Sequence, residues 1–120
     1  MKTKAKLQVL ELFKGTGSIS KALHKLLGDR VEVVSLDIES KYKPTICTDI
    51  MQWDYKSAFP PGRFDFIWAS PVCHYYSMGK RMVRDKSNLE ANRKESDKMV
   101  QRVLDIIQYF KPKAWLMENP

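Results

Sequence analysis

The stretch Leu7 to Leu27, LQVLELFKGTGSISKALHKLL, changes period once, and that change constrains the fold more than any other feature. Leu7 to Phe13 is short and apolar, which predicts a buried strand closed by Lys14-Gly15. After Gly15-Thr16-Gly17, the residues Ile19, Leu23, Leu26 and Leu27 recur at helical spacing. Ser18 is placed to cap this helix and Gly28 to end it. A strand, a glycine turn and a helix in that order form the opening half of a parallel βαβ unit.

The rest of the chain repeats the alternation. Val31 to Ile38, VEVVSLDI, predicts a second strand rich in β-branched residues, and Ile46-Cys47-Thr48 a short third one. Pro60-Pro61-Gly62 marks a turn before a fourth strand at Phe64 to Ala69. Ser87-Asn88-Leu89-Glu90 has the capping-box pattern of a helix that runs towards Phe110, with room for a break on the way. Its second half carries an apolar stripe of Val100, Val103, Leu104, Ile107 and Phe110, which suits core packing. Ala114 to Met117 is the fifth strand. This pattern predicts an α/β fold over residues 1–120 as one domain: a Rossmann-like doubly wound parallel sheet ordered 3-2-1-4-5.

Composition narrows the function. No apolar run approaches the roughly 18 residues that cross a bilayer, and Glu11 interrupts the N-terminal apolar stretch, which therefore reads as strand and not as signal peptide. Two cysteines lack metal-ligand spacing and are too few for a disulfide framework, so no metal site is expected and a reduced intracellular setting is. Lysine and arginine total 21 against 14 acidic residues, a net charge of +7 that suits a polyanionic partner. Lys80, Arg81, Arg84 and Lys86 concentrate that charge just after the fourth strand.

In a sheet of this kind ligands bind outside the carboxyl ends of the strands. The unusual polar groups fall there: Lys14-Gly15-Thr16-Gly17 after strand 1, Asp37-Ile38-Glu39 after strand 2, Asp49-Ile50 after strand 3, Ser70-Pro71-Val72-Cys73 after strand 4, and Glu118-Asn119-Pro120 after strand 5. Gly15 and Gly17 let backbone approach a ligand, and Asp37 can accept hydrogen bonds from two ribose hydroxyls. Ser20 stands where the dinucleotide fingerprint has its third glycine, which favours a nucleoside over a pyrophosphate ligand.

Phe13-x-Gly15-x-Gly17, Asp37, Thr48-Asp49-Ile50, Pro71-x-Cys73 and Glu118-Asn119-Pro120 occur in order along the whole chain. This set resembles the cytosine-C5 DNA methyltransferases, in particular the short viral or phage-borne kind with a Ser-Pro-Pro-Cys loop. The resemblance implies S-adenosylmethionine as cofactor, held by Phe13, Gly15 and Gly17 at its methionine part and by Asp37 at its ribose. Ile38 would pack on the adenine, Asp49 and Ile50 would contact its edge and face, and Pro71 would border the cofactor. Cys73 would be the nucleophile, Glu118 would bind the target cytosine from a partly buried site, and Asn119 would brace that loop. Lys80, Arg81, Arg84 and Lys86 would meet DNA phosphates. Cys47 is expected to be a buried strand residue and His24 an exposed helix residue.

Val72 departs from the family by replacing the proline before the cysteine, which removes a φ restraint from that loop. The family pattern also continues beyond its Glu-Asn-Pro loop. The resemblance therefore implies a methyltransferase fold incomplete at the C-terminus: a fragment of a longer product, a chain completed by a second polypeptide, or one whose strand-5 edge is covered by self-association in another role. Two classes of function are open on these grounds: an enzyme methylating cytosine in DNA, and a noncatalytic nucleoside- or nucleic-acid-binding module within a larger assembly. A third keeps the cofactor and acts on RNA or a small molecule.

Overall fold

The parallel βαβ alternation closes into one five-stranded sheet ordered β3-β2-β1-β4-β5. The computed structural model describes residues 6–71 and 86–118, with side chains in the last helix described from residue 97 onward. β1 (Leu7–Leu12) leads through α1 (Ser18–Leu27) to β2 (Val31–Asp37), and β3 is only Ile46–Cys47. A short α2 (Tyr55–Ala58) precedes β4 (Phe66–Ala69), and α3 (Lys86–Phe110) returns the chain to β5 (Ala114–Met117). All four strand pairings are parallel, with β1 central between β2 and β4. Fold class and strand order are those expected.

Side chains alternate across the sheet, and the two faces are packed differently. Leu10, Leu12, Val34, Leu36, Ile67 and Ala69 project into one core with Val103, Ile106, Ile107 and Phe110 of α3 and with Trp53, Tyr55 and Phe64. Fully burying each such side chain contributes about 1.5–3 kcal/mol, so this face supplies most of the stabilisation. The other face carries Val9 and Glu11, with the first turn of α1 over it: the Ser20 amide donates to Glu11 Oε2 at 3.3 Å. No α1 residue is fully buried, and Leu26 is 74% exposed.

Several local expectations are corrected. Phe13 leaves β1 and adopts φ 60°, and the fourth strand starts at Phe66, with Phe64 buried in the core just before it. The N-cap of α1 is Gly17 and not Ser18, because the turn enters the helix through a left-handed φ of 77° that glycine takes without strain. α3 is continuous over its 25 residues and already helical at Lys86, so Ser87 lies inside it and not at its cap. In its stripe Leu104 is 36% exposed while Ile106 is fully buried, since the helix is rotated to centre Val103, Ile106 and Phe110 on the sheet. Cys47 is exposed: in the two-residue edge strand, Ile46 turns to the core and Cys47 away from it. Among the described residues, no helix is long and apolar enough to cross a membrane.

Candidate active site

Where β1, β2 and β3 end, the backbone must turn away from a sheet that can no longer satisfy it, and a cavity of about 340 Å³ opens there. That volume lies within the usual range for small-molecule sites. Phe13, Gly15, Asp37, Ile38, Asp49 and Ile50 line it, six of the eight residues expected to hold a cofactor. Gly17 is instead buried at the start of α1, and Pro71 is buried just after β4. Neither lines the cavity.

Asp37 organises the cavity floor. Its Oδ2 accepts from the Gly15 amide at 2.8 Å and its Oδ1 from the Glu39 amide at 2.8 Å. Two amides use about half of a carboxylate's acceptor capacity, so Asp37 can still accept from two vicinal hydroxyls. Asp49 shapes its own loop, with Oδ1 taking the Met51 amide at 2.9 Å in an Asx turn. Ile38 is 62% exposed beside the cavity, an apolar surface open to a flat ring.

Glu39 and Thr48, which stand at the strand ends beside Ile38 and Asp49, also line it, and Leu36, Lys41, Tyr42 and Met99 complete the lining without having been expected there. The segment Ser40–Tyr42 is a single 3-10 turn, and Lys14 Nζ donates to the Tyr42 carbonyl at 2.8 Å, tying the glycine loop to that turn. Met99 comes from α3, one helical turn before the buried Val103.

Glu11 does not line the cavity but lies close to it in the chain, on β1 under the first turn of α1. It is 2% exposed, and among the described residues its Oε1 has no hydrogen-bond partner, while Oε2 takes the Ser20 amide. Burial pushes its carboxyl above the ordinary value, opposed by the Ser20 backbone bond, the Lys14 charge and the Ser20 hydroxyl. The signal in the sequence is a lone acidic residue inside an apolar strand, four positions before the first glycine of the turn.

The residues expected to carry catalysis are described only in part. Cys73, Asn119, Lys80, Arg81 and Arg84 lie outside the described residues, and so does the side chain of Lys86, whose backbone opens α3. Glu118 is exposed, not partly buried as expected, because it lies beyond the end of the edge strand β5. Its amide donates to the Ala69 carbonyl at 2.9 Å, and the register pairs Ala69 with Met117. The chain segments leaving β4 and β5 therefore start side by side. Among the described residues no cluster of His, Cys, Asp or Glu could hold a metal ion.

A five-stranded parallel sheet ordered β3-β2-β1-β4-β5, with a cavity at the carboxyl ends of its strands, defines a Rossmann-like α/β fold. The family model of the C-5 cytosine-specific DNA methylases matches residues 7–120. The chain belongs to that family. It is 33% identical over 120 residues to a frog virus 3 (isolate Goorha) protein described as a probable DNA (cytosine-5)-methyltransferase, covering 95% of this chain and 54% of the relative. The chain thus spans about half the length of that curated relative. No solved structure matches it.

Proposed function

We propose that this chain binds S-adenosylmethionine in the cavity above β1–β3 and forms the catalytic core of a DNA cytosine-C5 methyltransferase. The observation that carries the reading is Asp37, held by the Gly15 and Glu39 amides at the cavity floor with acceptor sites to spare. Phe13, Gly15, Ile38, Asp49 and Ile50 line the same cavity, which supports the reading.

S-adenosylmethionine supplies an electrophilic methyl group. Cytosine C5 is too weak a nucleophile to take it unaided. The Cys73 thiolate adds to C6 and turns the ring into an enamine-like nucleophile, which splits one hard step into two easier ones. Glu118, donating its carboxyl proton to N3 and accepting from the exocyclic amine, stabilises the charge that develops on the ring, and Asn119 braces its loop. Once C5 carries the methyl group and the cofactor has left as its thioether, loss of the C5 proton to water would reform the C5–C6 double bond and expel the Cys73 thiolate. The base must leave the helical stack to be reached, at a cost of a few kcal/mol. Phosphate contacts from Lys80, Arg81, Arg84 and Lys86 help offset that cost. The family and the viral relative support the reaction class.

The experiment is intact-mass analysis of the chain incubated with S-adenosylmethionine and DNA carrying 5-fluorocytosine, with Cys73→Ala as control. Fluorine at C5 blocks the last elimination and traps the adduct. A DNA adduct that vanishes in the variant is the expected result. Folded protein that forms none would refute turnover by these residues and leave a binding module as the better description.

A further inference from the structure

The loop that carries Thr48, Asp49 and Ile50 to the cavity has little secondary structure to hold it. It leaves the two-residue β3 and reaches the four-residue α2 through Met51, Gln52 and Trp53. Its own backbone contributes one turn, the Gln52 amide on the Asp49 carbonyl at 2.9 Å. Opposite it, the half-buried Arg102 lies on α3, one turn beyond Met99 and next to the buried Val103. The Arg102 Nε donates to the Ile50 carbonyl at 3.0 Å and an Nη donates to the Trp53 carbonyl at 2.6 Å. The guanidinium also stacks 4.8 Å from the centre of the Tyr55 ring.

We propose that Arg102 is a positioning residue of the nucleoside cavity, acting through the 48–53 loop and without touching ligand. The planar fork bridges the middle and the far end of the loop, supplies the Ile50 and Trp53 carbonyls with charged donors and is itself held by the Tyr55 face. Ile50 and Asp49 are thereby fixed against α3, the element that provides Met99 to the same cavity. Lysine at this position keeps the charge and cannot bridge both carbonyls while stacking. This role rests on the cavity being the cofactor site.

The test is calorimetric titration of the 120-residue chain with S-adenosylhomocysteine, comparing wild type, Arg102→Lys and Arg102→Gln, each alone and combined with Asp49→Asn or Asp37→Asn. Titrations run in an excluded osmolyte that keeps each variant folded. Loss of charged hydrogen bonds predicts about tenfold weaker binding for both Arg102 variants. The loss is non-additive with Asp49→Asn, which sits on the released loop, and additive with Asp37→Asn, which does not. A purely structural role lowers thermal stability and leaves the affinity of folded protein unchanged, or gives the same additivity with both aspartates, and either result overturns the proposal. Variants that stay unfolded in osmolyte also overturn it, since Arg102 would then hold the whole fold. A wild-type chain that binds no S-adenosylhomocysteine overturns the cofactor reading itself, and Arg102's role with it.

Discussion

The Gly15 amide donates to Asp37 Oδ2 at 2.8 Å, joining the end of β1 to the end of β2 across 22 positions of sequence. One carboxylate therefore shapes the glycine turn and faces the cavity. Asp37→Asn sets an amide NH2 against either the Gly15 or the Glu39 amide and removes the charge a ribose hydroxyl would meet. A hydrogen bond to a charged group contributes about 1.5–3 kcal/mol, so affinity for S-adenosylhomocysteine should fall roughly 10- to 150-fold. Titration calorimetry measures it. Unchanged affinity would remove Asp37 from the site.

Gly15 and Gly17 look alike in the sequence and should respond differently to alanine. Both have positive φ, 52° and 77°, so each substitution costs about 1–2 kcal/mol of backbone strain. A Cβ at Gly15 meets nothing within 4 Å, whereas one at Gly17 lies 3.1 Å from Lys14 Nζ and 3.1 Å from Ser20 Oγ. Gly17→Ala should thus lower the melting temperature more than Gly15→Ala, because it also pushes Lys14 off the Tyr42 carbonyl. Equal losses in a thermal scan would contradict this contact.

Much of the fold is legible because its signals are local. Ala114 to Met117 is bounded by Pro112 and Glu118, and the observed β5 matches that span. The strand order follows from alternating strands and helices with their polar groups at the carboxyl ends. The rest of the cavity is not legible for physical reasons. Lys41 and Tyr42 sit on a three-residue 3-10 turn, too short to show a period. A helix of 25 residues shows its apolar stripe but not its rotation to the nearest residue, so Leu104 and Ile106 exchange roles and Met99 goes unseen at the stripe's start. Arg102 contacts a loop some 50 positions away, and nothing near it in sequence points there. Glu11 is the opposite case: its charge inside an apolar strand flanked by two others is visible from the sequence.

Cys47 offers a direct check on that edge. It is exposed, with its Sγ 3.5 Å from the Ile38 carbonyl. In a Cys73→Ser background, Cys47 should react with one equivalent of a thiol reagent in the native state, at a rate close to that of unfolded protein. A rate that falls well below it would place the side chain inside, contrary to the two-residue β3.

Glu11 should make stability depend on pH in the sense opposite to most carboxylates. Burial raises its folded-state value, with Ser20 and Lys14 only partly opposing. Between the ordinary glutamate value of about 4.3 and that raised value, the folded chain binds more protons than the unfolded one. The favourable contribution is therefore complete below the unfolded value and is lost as pH rises through the folded one. Glu11→Gln keeps the shape, keeps an oxygen for the Ser20 amide and cannot ionise. The melting temperature of the variant minus that of wild type should grow as pH rises above the ordinary glutamate value and level off once pH has passed the raised one. Each kcal/mol moves the midpoint by roughly 2–8 °C in a chain of this size, so calorimetry at matched ionic strength resolves the trend. A difference that stays flat with pH would mean that Glu11 is as well solvated in the folded chain as in the unfolded one.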